Sequence, residues 1–110
     1  MLVGDFCQVI AQDGLRFTVR LNAAHPIYKA HFPDMPVTPG ACLVQIAEEL
    51  TGRKIERITN LKFMKPVPPA AEITYTFTPR KEEEYQVVIT DKEDTYARFV
   101  VTYMRPDTHL

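Results

Sequence analysis

"YKAHFPDMPVTPGACLVQIAEEL", residues 28–50, decides how this chain is read. Its first thirteen residues hold one histidine (His31), three prolines and a glycine. The text then turns apolar and regular. Leu43, Val44, Ile46, Ala47 and Leu50 recur at helical spacing and form a broad apolar face. Thr38 suits the N-cap, Pro39 the first helical position and Gly52 the C-terminal cap, which predicts a single long helix. The first half of that helix is apolar almost all round, so deep burial is expected.

Working outward, the flanks read as strands. In "GLRFTVRLN", Leu15, Phe17, Val19 and Leu21 alternate with Arg16, Thr18, Arg20 and Asn22. Asp13-Gly14 is a hairpin-turn signal, which places the preceding strand at about residues 6–11. After the helix, Leu61 and Phe63 alternate with Lys62 and Met64 until Pro66, Pro68 and Pro69 break the strand. "TGRKIERIT" reads as a short connection between helix and strand. In "EITYTFTPR", Ile73, Tyr75 and Phe77 oppose threonines. "EYQVVIT" and "YARFVVTYM" are β-rich and separated by the polar turn "DKED". One-sided alternation around one buried helix predicts an α+β domain with an antiparallel sheet covered on one face.

Length and charge bound the function. The 110 residues fit one domain, residues 1–110, with no repeat, linker or low-complexity tract. A core this thin gains from pairing with a second copy. Thirteen basic and fourteen acidic residues give a net charge of −1, so electrostatics offer no case for nucleic acid. No apolar run is long enough to span a membrane, and "MLVGDFCQVIAQDG" reads as no signal peptide, so a cytoplasmic protein is expected. Cys7 and Cys42 are far apart and form no metal-type pair; both read as reduced and buried. No cofactor or metal is expected.

"HFPDMPVTPG" resembles the signature H-F-P-x-x-P-x-x-P-G of the 3-hydroxyacyl-[acyl-carrier-protein] dehydratases of fatty-acid synthesis. His31, Phe32, Pro33, Pro36, Pro39 and Gly40 match it. In the approach "HPIYKAH", Pro26 and Tyr28 match while Ile27 replaces an aromatic residue. "ITNLKFMKPVPP" is similar to the strand that follows the family's helix, with Asn60, Phe63, Lys65 and Pro66 in register. The resemblance implies a hot-dog fold, in which an antiparallel sheet wraps one central helix. It also implies a homodimer with two sites at the interface. Each site would join a histidine of one subunit to a carboxylate of the partner's helix, beside a tunnel for an acyl chain on phosphopantetheine. The implied partner is acyl carrier protein.

Dehydration of a 3-hydroxyacyl thioester needs a base, a donor for the enolate oxygen and an acid for the departing hydroxyl. His31 suits the base, because its unperturbed pKa lies near neutrality. The first turn of the helix has unpaired N–H groups, and Pro39 has none, so Gly40 and Ala41 are the candidate oxyanion donors. The family's helix carboxylate falls at Gln45. An amide can hold the substrate hydroxyl or a water but supplies no proton, and losing a positioned acid costs roughly 10²–10⁴-fold in rate. Glu49, one turn on and about 6 Å away between Cβ atoms, is the alternative acid. The competing expectation places Glu48 and Glu49 in solvent at the emerging end of the helix.

Tyr28, Phe32 and Thr38 are candidates for the tunnel wall, with core packing as the equal alternative for the aromatics and capping sufficient for Thr38. His25 reads as a loop residue and His109 as part of the tail. Lys62, Lys65, Arg80 and Lys81 are candidates for carrier docking or ordinary surface charge. Three functions remain open: a dehydratase-like enzyme, a catalytically impaired acyl-thioester or acyl-carrier binding partner, and a hot-dog thioesterase.

Overall fold

Alternation in the sequence becomes one antiparallel sheet. The computed structural model describes residues 1–30 and 36–105. In chain order the elements are β1 (Cys7–Asp13), β2 (Arg16–Leu21), α1 (Ile27–Ala30), α2 (Gly40–Thr51), β3 (Ile55–Phe63), β4 (Glu72–Lys81), β5 (Glu84–Thr90) and β6 (Thr95–Tyr103). The six strands lie in the order β1-β2-β4-β5-β6-β3, so β1 and β3 form the two edges. Every neighbouring pair is antiparallel. Among the described residues no helix is long and apolar enough to cross a membrane.

Period-two alternation sets the covered face. Phe17, Val19 and Leu21 of β2, Ile73, Tyr75 and Phe77 of β4, and Val87 and Ile89 of β5 are all buried. They join one core with Cys42, Leu43, Ile46 and Ala47 of α2. Tyr75 ties the two layers together, donating its hydroxyl to the Leu43 carbonyl at 2.7 Å inside this core. Burial pushes the Tyr75 phenol well above its ordinary range, so it remains a donor. Gly52 ends α2 as predicted, in the left-handed region at φ 67°, with its N–H on the Glu48 and Glu49 carbonyls.

Local signals miss in several places, each for a physical reason. Thr38 does not cap α2: the N-cap is Pro39, no side chain caps the helix, and the Thr38 hydroxyl meets the Tyr28 hydroxyl at 2.9 Å instead. Leu15 sits in the β1–β2 turn and stays 41% exposed. The expected connection "TGRKIERIT" is mostly strand, because β3 starts at Ile55 and only residues 52–54 link it to α2. Leu61 and Phe63 are 46% and 47% exposed rather than covered. They lie on an edge strand whose pairing with β6 shifts between Thr59 and Lys62, where Asn60 takes a left-handed φ of 54°. β1 runs to Asp13, two residues past its expected end.

Glu48 and Glu49 are half-buried, and each holds main-chain N–H groups. Glu48 accepts the Ile55 N–H at 2.8 Å and so fastens the start of β3 to the end of α2. Glu49 accepts the N–H groups of Leu2 at 2.9 Å and Val3 at 2.8 Å, clamping the N-terminal arm onto the helix. His25 also has a structural role. Its Nδ1 accepts the Ile27 N–H at 3.2 Å, so the ring proton sits on Nε2 and faces Asp5 at 3.1 Å.

Candidate functional site

The site is built around the first two turns of α2. The Pro39 carbonyl takes the N–H groups of Cys42 at 3.0 Å and Leu43 at 3.2 Å. Among the described residues no acceptor meets the N–H of Gly40 or Ala41. These are the orphan donors of a helix start, at the positive end of the helix dipole.

Gly40 lets a neighbouring ring pack closely. A Cβ there would lie 2.5 Å from Cζ and 2.8 Å from Cε2 of Phe63, far inside contact distance. The Phe63 ring therefore lies on the bare backbone of the helix start. Around this contact runs a groove of about 300 Å³, bordered by Thr38, Gly40, Leu43, Phe63, Lys65 and Val67. A second groove, of about 400 Å³, runs on the other flank of the helix. Its walls are Ala41, Val44, Gln45 and Glu48 from α2, with Ile55, Glu56, Arg57 and Ile58 from the edge strand. Gly40 thus borders one groove and Ala41 the other.

Of the candidate tunnel residues, Thr38 borders the first groove while Tyr28 packs into the core. The Tyr28 ring stacks on Phe6 at 5.4 Å, and its hydroxyl pairs with that of Thr38. Burial raises the Tyr28 phenol, partly offset by the Thr38 hydrogen bond, so it stays neutral. The Thr38 N–H donates to the Val67 carbonyl at 2.8 Å and fixes the loop ahead of α2. His31 and Phe32 lie outside the described residues.

Gln45 is exposed on the helix flank. Its Nε2 donates to Glu49 Oε2 at 2.9 Å. Burial alone would raise the Glu49 carboxyl, but the hydrogen bonds from Leu2, Val3 and Gln45 outweigh it and hold it below the ordinary carboxylate value. Glu49 is therefore an anion at neutral pH, with its lone pairs directed at the arm and at Gln45. Neither cysteine offers a nucleophile. Burial raises both thiols, and the Glu49 charge helps push Cys7 up to about 11.

The basic candidates are partly spoken for. Lys65 pairs with Asp94, and Arg80 lies 3.5 Å and Lys81 3.9 Å from Glu84. The features that sequence reasoning missed are Phe63 over Gly40, the apolar wall of Val44, Ile55 and Ile58, and the arm clamp at Glu49. Only the first left a signal: a glycine at a helix start that a better helix former would otherwise occupy.

The ApeI-like family, described as ApeI dehydratase, matches residues 8–99. Among curated proteins, none matches the chain. Among solved structures, the dehydratase heterocomplex ApeI:P from Xenorhabdus doucetiae is similar with a TM-score of 0.72 at 17% identity, over 90% of this chain and 98% of that one. The pyran synthase domain from module nine of the sorangicin pathway is similar with a TM-score of 0.66 at 15% identity, over 94% of this chain and 40% of that one. Thioesterase superfamily member 2 from Mus musculus is similar with a TM-score of 0.57 at 9% identity, over 90% of this chain and 82% of that one. At these identities the likeness speaks for the fold, and the fold is the hot-dog arrangement that the signature implied.

Proposed function

This chain belongs to the ApeI-like dehydratase family, and from that premise we propose that it acts on 3-hydroxyacyl thioesters of acyl carrier protein, in fatty-acid or polyketide-type synthesis. The observation that carries this reading is the helix start. Two N–H groups without a described acceptor, at Gly40 and Ala41, lie between two grooves of small-ligand size. Directed at a thioester oxygen, they stabilise the enolate that forms when the neighbouring carbon loses its proton. His31 is the base in this scheme. Gln45 holds the hydroxyl at C3, a water gives the proton with which it departs, and the hydroxide so formed takes back the proton that His31 removed. The protein works as a homodimer in the cytoplasm. The groove beside Gln45 opens along edge strand β3, where a second copy extends the sheet and supplies the facing wall.

The experiment is a turnover assay on a carrier-linked 3-hydroxyacyl substrate, following enoyl product and free thiol together. Enoyl formation that disappears in His31→Ala supports dehydration. Free thiol without enoyl product moves the protein to the thioesterases. The companion variant Gln45→Glu restores an acid at the family's position, and a gain in enoyl formation of at least tenfold is expected.

A second reading is favoured by one contact. The carboxylate hydrogen-bonded to Gln45, Glu49, is engaged in holding the N-terminal arm. A site that binds acyl thioesters without turning them over would need no acid. In the same assay it yields neither product, while acyl-carrier binding remains measurable.

A further inference from the structure

Two stems carry the reacting groups of the proposed site. The first is α1, whose Tyr28 stands three residues before His31 in the sequence. The second is the stretch leading into α2, whose Thr38 stands two residues before Gly40. The base follows one stem, and the oxyanion donors follow the other. Each stem has its own anchor. The Tyr28 ring stacks on Phe6 at 5.4 Å, and the N–H groups of Lys29 and Ala30 donate to the Pro26 carbonyl at 3.0 Å and 3.3 Å. On the other side, the Thr38 N–H donates to the Val67 carbonyl at 2.8 Å. Among the described residues one hydrogen bond joins the two stems: the hydroxyls of Tyr28 and Thr38, buried and 2.9 Å apart.

Packing does not call for these two oxygens. Apart from tyrosines and cysteines, Thr38 is the only polar side chain buried among the described residues. Valine has nearly the same shape, and a hydroxyl taken out of water costs free energy unless it is paired. The pair does something that apolar contact cannot. Hydrophobic packing is non-directional, whereas a hydrogen bond fixes a distance and an angle. Both partners are also stiff: Thr38 is β-branched, and the Tyr28 ring lies against Phe6. A directional bond between two stiff side chains sets the spacing of the stems that bear them.

Taking the dehydration reading as given, we infer that Tyr28 and Thr38 are positioning residues, whose buried hydroxyl pair sets the base-bearing stem against the stem of the oxyanion donors. Proton removal needs the thioester to meet both at once, the base at the carbon and the N–H groups at the oxygen. A misplacement of about 1 Å between such groups costs on the order of 10²-fold in rate. Neither hydroxyl touches the reacting atoms in this scheme. Their effect passes through the stems, so it falls on turnover and spares substrate binding.

The test compares Tyr28→Phe, Thr38→Val, the two combined, and Thr38→Ser in the carrier-linked assay, at temperatures where calorimetry shows each variant folded. Tyr28→Phe and Thr38→Val should each lower kcat about tenfold or more, with KM changed by less than about threefold. The combined variant leaves no lone hydroxyl buried, so it should recover stability lost in the single variants. Its kcat should nevertheless stay about tenfold down, which a merely structural role would not produce. Thr38→Ser keeps the oxygen and should keep most of the turnover. Wild-type turnover in the combined variant, a loss confined to KM, or a Thr38→Ser variant as slow as Thr38→Val overturns the inference. If the wild-type chain forms no enoyl product, the dehydration reading itself falls, and amide exchange decides the hold between the stems. Exchange at Lys29, Ala30 and Thr38 should then be about tenfold faster in the combined variant than in the wild type, and equal rates overturn the hold.

Discussion

Replacing Gly40 by alanine should destabilise the protein, and removing Phe63 should reverse the sign. The backbone at Gly40 does not occupy the left-handed region, so alanine fits it conformationally. On its own, the change would stabilise the fold by about 0.4–1 kcal/mol through reduced freedom of the unfolded chain. The added Cβ, however, falls 2.5 Å and 2.8 Å from two Phe63 ring atoms. The ring must move by about 1 Å to reach ordinary contact. Phe63 is 47% exposed, so about half of a roughly 200 Å² side chain is packed, worth about 2.5 kcal/mol at most. Losing half to most of that packing costs about 1–2 kcal/mol and exceeds the alanine gain. Gly40→Ala should therefore cost about 0.5–1.5 kcal/mol in urea denaturation. In the Phe63→Ala background the obstacle is gone, and the same substitution should stabilise by about 0.5 kcal/mol. Additive effects across the four proteins of this cycle would refute the contact.

Three further outcomes are expected. Tyr75→Phe removes a buried hydrogen bond to the Leu43 carbonyl at 2.7 Å and should cost about 1 kcal/mol, seen as a drop in Tm of roughly 4–6 °C by calorimetry. Tyr28→Phe leaves the Thr38 hydroxyl, 5% exposed, without its partner and should cost about 1–2 kcal/mol. Adding Thr38→Val should recover part of that, and a chemical denaturation series shows whether it does. The N-terminal arm should be acid-sensitive. The folded pKa of Glu49 lies below its ordinary value of 4.5, so its contribution is complete above that value and lost as pH falls through the folded pKa. Amide exchange at Leu2 and Val3, followed by NMR from pH 7 downward, should accelerate in that window. Glu49→Gln should exchange at a rate without that step.

The core was legible because it rests on short-range patterns. Alternation in "GLRFTVRLN" and "EITYTFTPR" placed Phe17, Val19, Ile73, Tyr75 and Phe77 on the covered face, where they lie. The helix end at Gly52 was legible for the same reason, since left-handed backbone there favours glycine. What failed were features decided by distant partners. Thr38 carries a good capping side chain, yet Tyr28 ten residues earlier takes its hydroxyl. Leu61 and Phe63 alternate correctly, but β3 ends up at the sheet edge, and strand order leaves no periodic trace. Glu48 and Glu49 look like surface acids because their partners are main-chain N–H groups of Ile55, Leu2 and Val3. A peptide N–H has the same appearance at every position of a sequence. The signature itself identified the helix start, while its His31 and Phe32 lie outside the described residues.

The exchange of acid and amide along α2 has a chemical consequence beyond the loss of one proton donor. A carboxylate at position 49 meets three hydrogen-bond donors and is held as an anion. It organises the arm and Gln45, and it has no proton to give at neutral pH. A carboxylate at position 45 would meet a different environment, for it would face Glu49 across the space now spanned by a 2.9 Å hydrogen bond. Two carboxylates at that spacing do not both ionise. They share a proton, and one of the pair's apparent pKa values rises strongly. Because the arm pins Glu49 as the charged member, the proton would reside on residue 45, at the groove wall. The gain expected from Gln45→Glu thus has two sources: a carboxyl group in the right place, and a neighbour that keeps it protonated. Removing that neighbour as well, in Gln45→Glu with Glu49→Ala, should leave the new acid with a more ordinary pKa and cancel much of the gain above pH 6. A gain indifferent to Glu49 would mean that placement alone is enough.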